Sequence, residues 1–120
     1  MELTEKVNPI RITDNDTGRE YILDFTRETI KMAEGRGFDW DDLPSKMATL
    51  LPVLWHAAFL RYEPRMSVIK TDKILEDMGG IQPKQIQRLK LLYDQAMSSL
   101  VAEDTEDGST KNAKVTVTLD

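Results

Sequence analysis

His56 is the only histidine in the chain, and its neighbours decide whether acid–base chemistry is available. A hydrolase or transferase would set it beside a nucleophile and an orienting carboxylate. Ser45, Ser67 and Asp72 are present, but no G-x-S-x-G turn exposes a serine. Asp39, Asp41 and Asp42 flank Trp40, and a hard cation would accept such oxygens. The spacing of a calcium loop, D-x-[DN]-x-[DN]-G followed by a distal glutamate, is missing there and in "DNDTG" at 14–18. One histidine and no cysteine leave too few ligands for a zinc site. Gly35, Gly37 and Gly79-Gly80 fit no phosphate-cradling pattern and read as helix stops. The expectation is no catalytic residue, no metal and no cofactor, with His56 serving as a core or interface residue.

Composition agrees with a small binding protein. The 120 residues suit one domain, long enough to bury a core. The absence of cysteine removes any disulfide framework and fits a reducing compartment. "MELTEKVNPI" has neither the basic nor the apolar region of a secretory signal. The longest nearly uncharged apolar run, Leu50 to Leu60, is shorter than the roughly 20 residues a bilayer requires. Net charge is −5, and residues 103–120 set five carboxylates against two lysines, which leaves −2 for the remainder. Neither part has the basic footprint of nucleic-acid binding. No nucleic acid and no membrane are therefore expected among the partners.

The elements that would position these side chains follow from periodicity. Ile10 and Ile12 alternate with Arg11 and Thr13, and Tyr21, Leu23 and Phe25 form one face of a second run. "DNDTG" supplies the turn, so a β-hairpin is predicted, and helices must cover its apolar face. Thr26 is a good N-cap with Glu28 in the first turn, Phe25 and Ile30 have the spacing of a hydrophobic staple, and a helix over 27–35 follows. In the connector, Phe38 and Trp40 are expected to turn inward.

Met47, Leu50, Leu51, Leu54 and Ala58 share one helical face, while Val53, Trp55, Ala57 and Leu60 fill much of the rest. A helix apolar nearly all round is central to a fold. Pro52 predicts either a kink or a fresh helix starting there, and Pro64 is expected to end the segment. "TDKILEDMGG" reads as a short helix capped by Thr71 or Ser67, with Ile74, Leu75 and Met78 packing. After Pro83 the stripe Ile86, Leu89, Tyr93, Ala96 and Leu100 marks the clearest helix, with Leu92 and Met97 beside it and Arg88, Lys90, Asp94 and Gln95 toward water. The expected architecture is α+β and mostly α: an N-terminal β-hairpin packed on about four helices over residues 1–102. An acidic, flexible tail over 103–120 would follow. Within it Val115, Val117 and Leu119 alternate with Thr116 and Thr118, the pattern of a short strand at 114–119. It would pair either with the hairpin of its own molecule or with another chain.

One ordered set of residues carries a resemblance. Phe25 closing the hairpin, Ala33-Glu34 and Gly37-Phe38 ending a short helix, then Leu50-Leu51-Pro52, Leu54-Trp55 and Ala57-Ala58-Phe59, stand in a characteristic order. It resembles that of the phage tail assembly chaperones, small siphophage proteins from tailed phages of Gram-positive hosts. "RLKLLYDQAMSSL" is similar to the final helix of that family, with Tyr93 at its aromatic position. The likeness spans about residues 10–101. Met47-Ala48-Thr49 fits the pattern loosely, and Ala57 stands where glycine is usual. The resemblance implies a transient, self-associating scaffold that coats the helical tape measure protein, keeps it soluble and recruits tail tube subunits. It implies a place in the host cytoplasm during assembly, absence from the finished virion, and a short form beside a frameshifted long one. Trp55, Phe59, Phe38 and Trp40 are then core or interface residues, and Val115, Val117 and Leu119 a partner-binding strand. Three alternatives stand: a phage structural or connector protein retained in the virion, a small non-enzymatic regulator, and a small enzyme using His56 with Asp39, Asp41 or Asp42.

Overall fold

Alternation of Ile10 and Ile12 with polar neighbours, and of Tyr21 and Leu23 with theirs, places one apolar face on a two-stranded ribbon. The computed structural model describes residues 6–100. Strand β1 (Ile10–Thr13) pairs antiparallel with β2 (Glu20–Leu23), with Ile10 opposite Leu23 and Ile12 opposite Tyr21. The Asp14 carboxylate accepts from the Asp16 amide at 2.9 Å, and the Asp14 amide donates to the Arg19 carbonyl at 2.8 Å. That last bond fixes the phase of the ladder. Ile10, Ile12, Tyr21 and Leu23 turn their backbone groups toward each other, while Arg11 and Thr13 turn theirs outward.

Among the described residues four α-helices follow the hairpin, as expected. Helix α1 (Arg27–Gly35) starts at Thr26, whose hydroxyl accepts from the Thr29 amide at 3.1 Å. The Thr29 hydroxyl accepts in return from the Thr26 amide at 2.9 Å, so both early amides are satisfied. The helix ends with Phe38 N–H on Ala33 O and Gly37 N–H on Glu34 O, Gly37 standing at φ 93°. This is a Schellman ending, which needs a residue at positive φ and throws the following side chain back onto the helix. The order Ala33-Glu34-x-x-Gly37-Phe38 is therefore a device that drives Phe38 into the core, where it is buried.

A short 3₁₀ turn (Leu43–Ser45) leads into α2 (Met47–Phe59). The latter is the central helix: Val53 through Phe59 are all buried. Pro52 starts no new helix, because α2 is continuous through it. The helix also ends before Pro64, since Leu60 already caps it through the Ala57 carbonyl. Met47 is 40% exposed, off the buried face that Leu50 and Leu54 form.

Helix α3 (Val68–Asp77) is capped by Ser67, not Thr71, and ends in a second Schellman turn at Gly79, φ 77°. Thr71 is instead a buried residue within it. Ile74 and Leu75 pack partly, but Met78 lies past the helix end and is 39% exposed. Helix α4 (Pro83–Met97) buries Leu89, Leu92 and Tyr93. Leu100 follows the helix and is exposed, not part of the stripe. Gln95 does not face water alone: its side-chain amide accepts from Val7 N–H at 2.7 Å and donates to Val7 O at 3.3 Å.

The core joins these parts through aromatic contacts. Phe59 meets Tyr21 at 5.6 Å and Trp55 at 5.2 Å between ring centroids. Trp55 Nε1 donates to the Thr71 carbonyl at 2.8 Å, which ties α3 to α2. Asp24 N–H donates to Ala58 O at 3.0 Å, which ties the exit of β2 to the same helix. The Asp24 carboxylate is buried and accepts from Arg61 at 2.8 Å and from the Phe25 amide at 2.8 Å. The expected tail over 103–120, its strand at 114–119, and Val115, Val117 and Leu119 lie outside the described residues.

Candidate protein-binding surface

His56 is spoken for on both sides of its ring. Nε2 lies 2.8 Å from the Met66 carbonyl, which can only accept, so Nε2 carries the hydrogen. Nδ1 is then the acceptor for Arg36 at 3.0 Å. One neutral tautomer satisfies both contacts and locks α2 to the end of α1 and to the loop before α3. Ser45 Oγ donates to Asp42 O, and Ser67 Oγ accepts from the Lys70 amide. No hydrogen bond among the described residues joins His56 to either serine or to Asp72. Asp39 accepts from the Asp41 amide at 2.8 Å in a local turn. Among the described residues no three carboxylate or imidazole groups converge as a metal site. His56→Ala should lower the stability by about 1–3 kcal/mol, the cost of orphaning buried polar partners. Urea unfolding followed by tryptophan fluorescence measures that loss.

Phe38 and Trp40 do gather, around Tyr93. Phe25 and Tyr93 stand 5.4 Å apart, Phe38 and Trp40 5.0 Å, and Trp40 and Tyr93 5.4 Å, three edge-on contacts that rings favour. The Tyr93 hydroxyl donates to Glu34 at 3.3 Å. Burial pushes the Tyr93 phenol well above its ordinary range, and the nearby Glu34 carboxylate pushes the same way. A group whose folded pKa is raised contributes stability below its unfolded value, here about 10, and loses it above that. The urea midpoint should therefore fall as pH rises past about 10, and fall less steeply in Tyr93→Phe.

Above this cluster lies an apolar groove of about 440 Å³, walled by Trp40, Leu43 and Pro44 on one side and Ile86, Lys90 and Leu91 of α4 on the other. Lys90 holds Asp94 at 3.0 Å and stands over the Trp40 ring at 5.4 Å. Trp40 Nε1 is buried and meets no acceptor among the described residues. Leu91 is 52% exposed although Leu89 and Leu92 on the same helix are fully buried. Sequence reading placed Trp40 inward but missed Leu43, Pro44 and Leu91 as a surface. The signal was present: three leucines at 89, 91 and 92 cannot all face one way on a helix.

A family profile described as a domain of unknown function, DUF5055, matches residues 4–119. The chain belongs to the DUF5055 family. The match takes in the hairpin and the four helices described above. No curated protein and no solved structure matches the chain.

Proposed function

We propose that this protein is a non-enzymatic tail assembly chaperone of a tailed phage or prophage. It coats the tape measure protein during assembly in the host cytoplasm, recruits tail tube subunits, and leaves before the virion is complete. The observation that carries the reading is the groove of Trp40, Leu43, Pro44, Ile86 and Leu91. A helical partner can lay its apolar face into such a groove at i, i+3 and i+4 spacing. The tape measure protein is the long helical chain that the resemblance implies. Trp40 adds an indole N–H without a partner among the described residues, and a buried donor of that kind gains from any acceptor a docking chain brings. Spent ring nitrogens on His56 fit a binding role better than an acid–base one.

Co-expression with the tape measure protein of the same phage tests this, read by size exclusion and native mass spectrometry. A soluble complex with many copies of this chain per tape measure protein is expected. Aggregated tape measure beside a free chain would overturn the reading. Mass spectrometry of purified particles separates a chaperone, absent from them, from a structural or connector protein retained at fixed copy number.

A further inference from the structure

The two-stranded sheet has two outer edges, and they are not equivalent. On the β2 side, Asp24 donates its outward N–H to α2. On the β1 side, the N–H and C=O groups of Arg11 and Thr13 point outward, and no described residue pairs with them. The free stretch is sharply bounded. Before it, Pro9 has no donor, and both backbone groups of Val7 are taken up by Gln95. After it, Asp14 N–H is spent on Arg19 O, and Asp14 O on Gly18 N–H. Two donors and two acceptors remain between these bounds, placed symmetrically about Ile12. Ile10 and Ile12, on the inner face of the strand, are only partly buried.

An unpaired edge is a template for another strand, and a row of groups symmetric about its own centre is complementary to a copy of itself, the geometry of a two-fold interface. We propose that β1 pairs antiparallel with β1 of a second copy of this chain, joining the two hairpins into one four-stranded sheet. Centred on Ile12, the pairing sets Arg11 opposite the partner's Thr13, and Thr13 opposite the partner's Arg11. Each of these two pairs exchanges both of its backbone bonds, so every outward group of Arg11 and Thr13 is satisfied on both copies. Between them Ile12 meets the partner's Ile12 in a close pair, with the Cα separation of about 4.5 Å usual there. Charge selects this register. Setting Arg11 against the partner's Arg11 would place like charges directly opposite, which destabilises a sheet. In the symmetric register each arginine lies beside a threonine and keeps its own Glu20 at 2.9 Å. Strands in one sheet share their faces, so Ile10 and Ile12 of both copies form one continuous apolar strip. The edge shares no residue with the groove, and this inference does not rest on the chaperone reading.

Sedimentation equilibrium on the full chain tests this, together with amide hydrogen exchange read by NMR, at concentrations from about 10 μM to about 1 mM, the range of a weak association. A monomer–dimer equilibrium is expected, with Arg11 and Thr13 amides that exchange more slowly as the dimer fills. Thr13→Pro removes an outward N–H that no described bond of the chain uses, and an edge strand tolerates proline at such a position. In that variant the dimer is expected to weaken at least tenfold while tryptophan fluorescence stays native. Thr13→Ala keeps the N–H and is expected to dimerise as the unaltered chain does. A monomer at every concentration would overturn the proposal. So would protection of Arg11 and Thr13 that is the same at every concentration, which would place another part of the same molecule on the edge. A dimer that Thr13→Pro leaves intact and Leu91→Lys breaks would overturn it too, by seating the second copy in the groove.

Discussion

Trp55→Ala should lower the stability of this protein by about 3–5 kcal/mol, the range for truncating a buried aromatic. Trp55 is 1% exposed and touches the core at three levels. Its ring packs edge-on against Phe59, which in turn packs on Tyr21 of the hairpin. Its N–H holds the Thr71 carbonyl of α3. The substitution therefore opens a cavity in the central helix and releases a neighbouring helix whose only fully buried residue is Thr71. Small domains have about 5–15 kcal/mol in total, so the variant should sit near the edge of folding. The urea midpoint should drop, and the melting temperature should fall by tens of degrees at about 4–8 °C per kcal/mol. Trp55→Phe keeps the edge-on contact and should lose clearly less. If the two variants unfold alike, the hydrogen bond to α3 outweighs the ring's packing.

Leu91→Lys is the complementary change, with little effect on the fold and a large one on binding. Leu91 is half exposed, so stability should shift by no more than about 0.5 kcal/mol. A lysine there places a charge where a partner's apolar side chain would sit. On the proposed function, affinity for the tape measure protein should fall at least thirtyfold, the ~2 kcal/mol of a central interface residue. Native mass spectrometry of the co-expressed complex would show few or no copies retained. Ile69→Lys is the control, because Ile69 is 83% exposed on α3 and outside the groove. Equal losses from both substitutions would remove the groove from the argument.

The elements were legible because their signals are local. Alternation at 10–13 and 20–25, the Thr26 cap and the Phe25–Ile30 staple each involve residues within a few positions of one another, and α1 has the predicted bounds. Central placement of α2 was legible too, since a helix apolar on every side has no surface to spare. Failures came where distant parts decide. Of the two outcomes open for Pro52, the fresh helix is excluded: one helix runs through it because residues on both sides are buried in a common core, and that packing outweighs a missing hydrogen bond. Thr71 looked like a cap because threonine often is one; its role as acceptor for Trp55 depends on how α3 crosses α2. Gln95 looked solvated for want of any sign that Val7 would come to it. The groove is a tertiary object: Leu43 and Leu91 are far apart in sequence, and only the off-stripe position of Leu91 hinted at it.

The bidentate clamp between Gln95 and Val7 joins positions 88 apart, and it bears on the order in which the protein is made. The first strand leaves the ribosome early, but Leu89, Leu92 and Tyr93, which complete the core around α1 and the hairpin, come last. At about 5–20 residues per second, the fifteen residues of α4 take on the order of 1–3 seconds to translate. Through that interval Phe25, Phe38 and Trp40 lack Tyr93, the ring they close upon. Nascent chains are thus sticky until α4 is synthesised. A ribosome that stalls within α4 would release a product with an open aromatic cavity, fit for capture by chaperones and proteases rather than for folding.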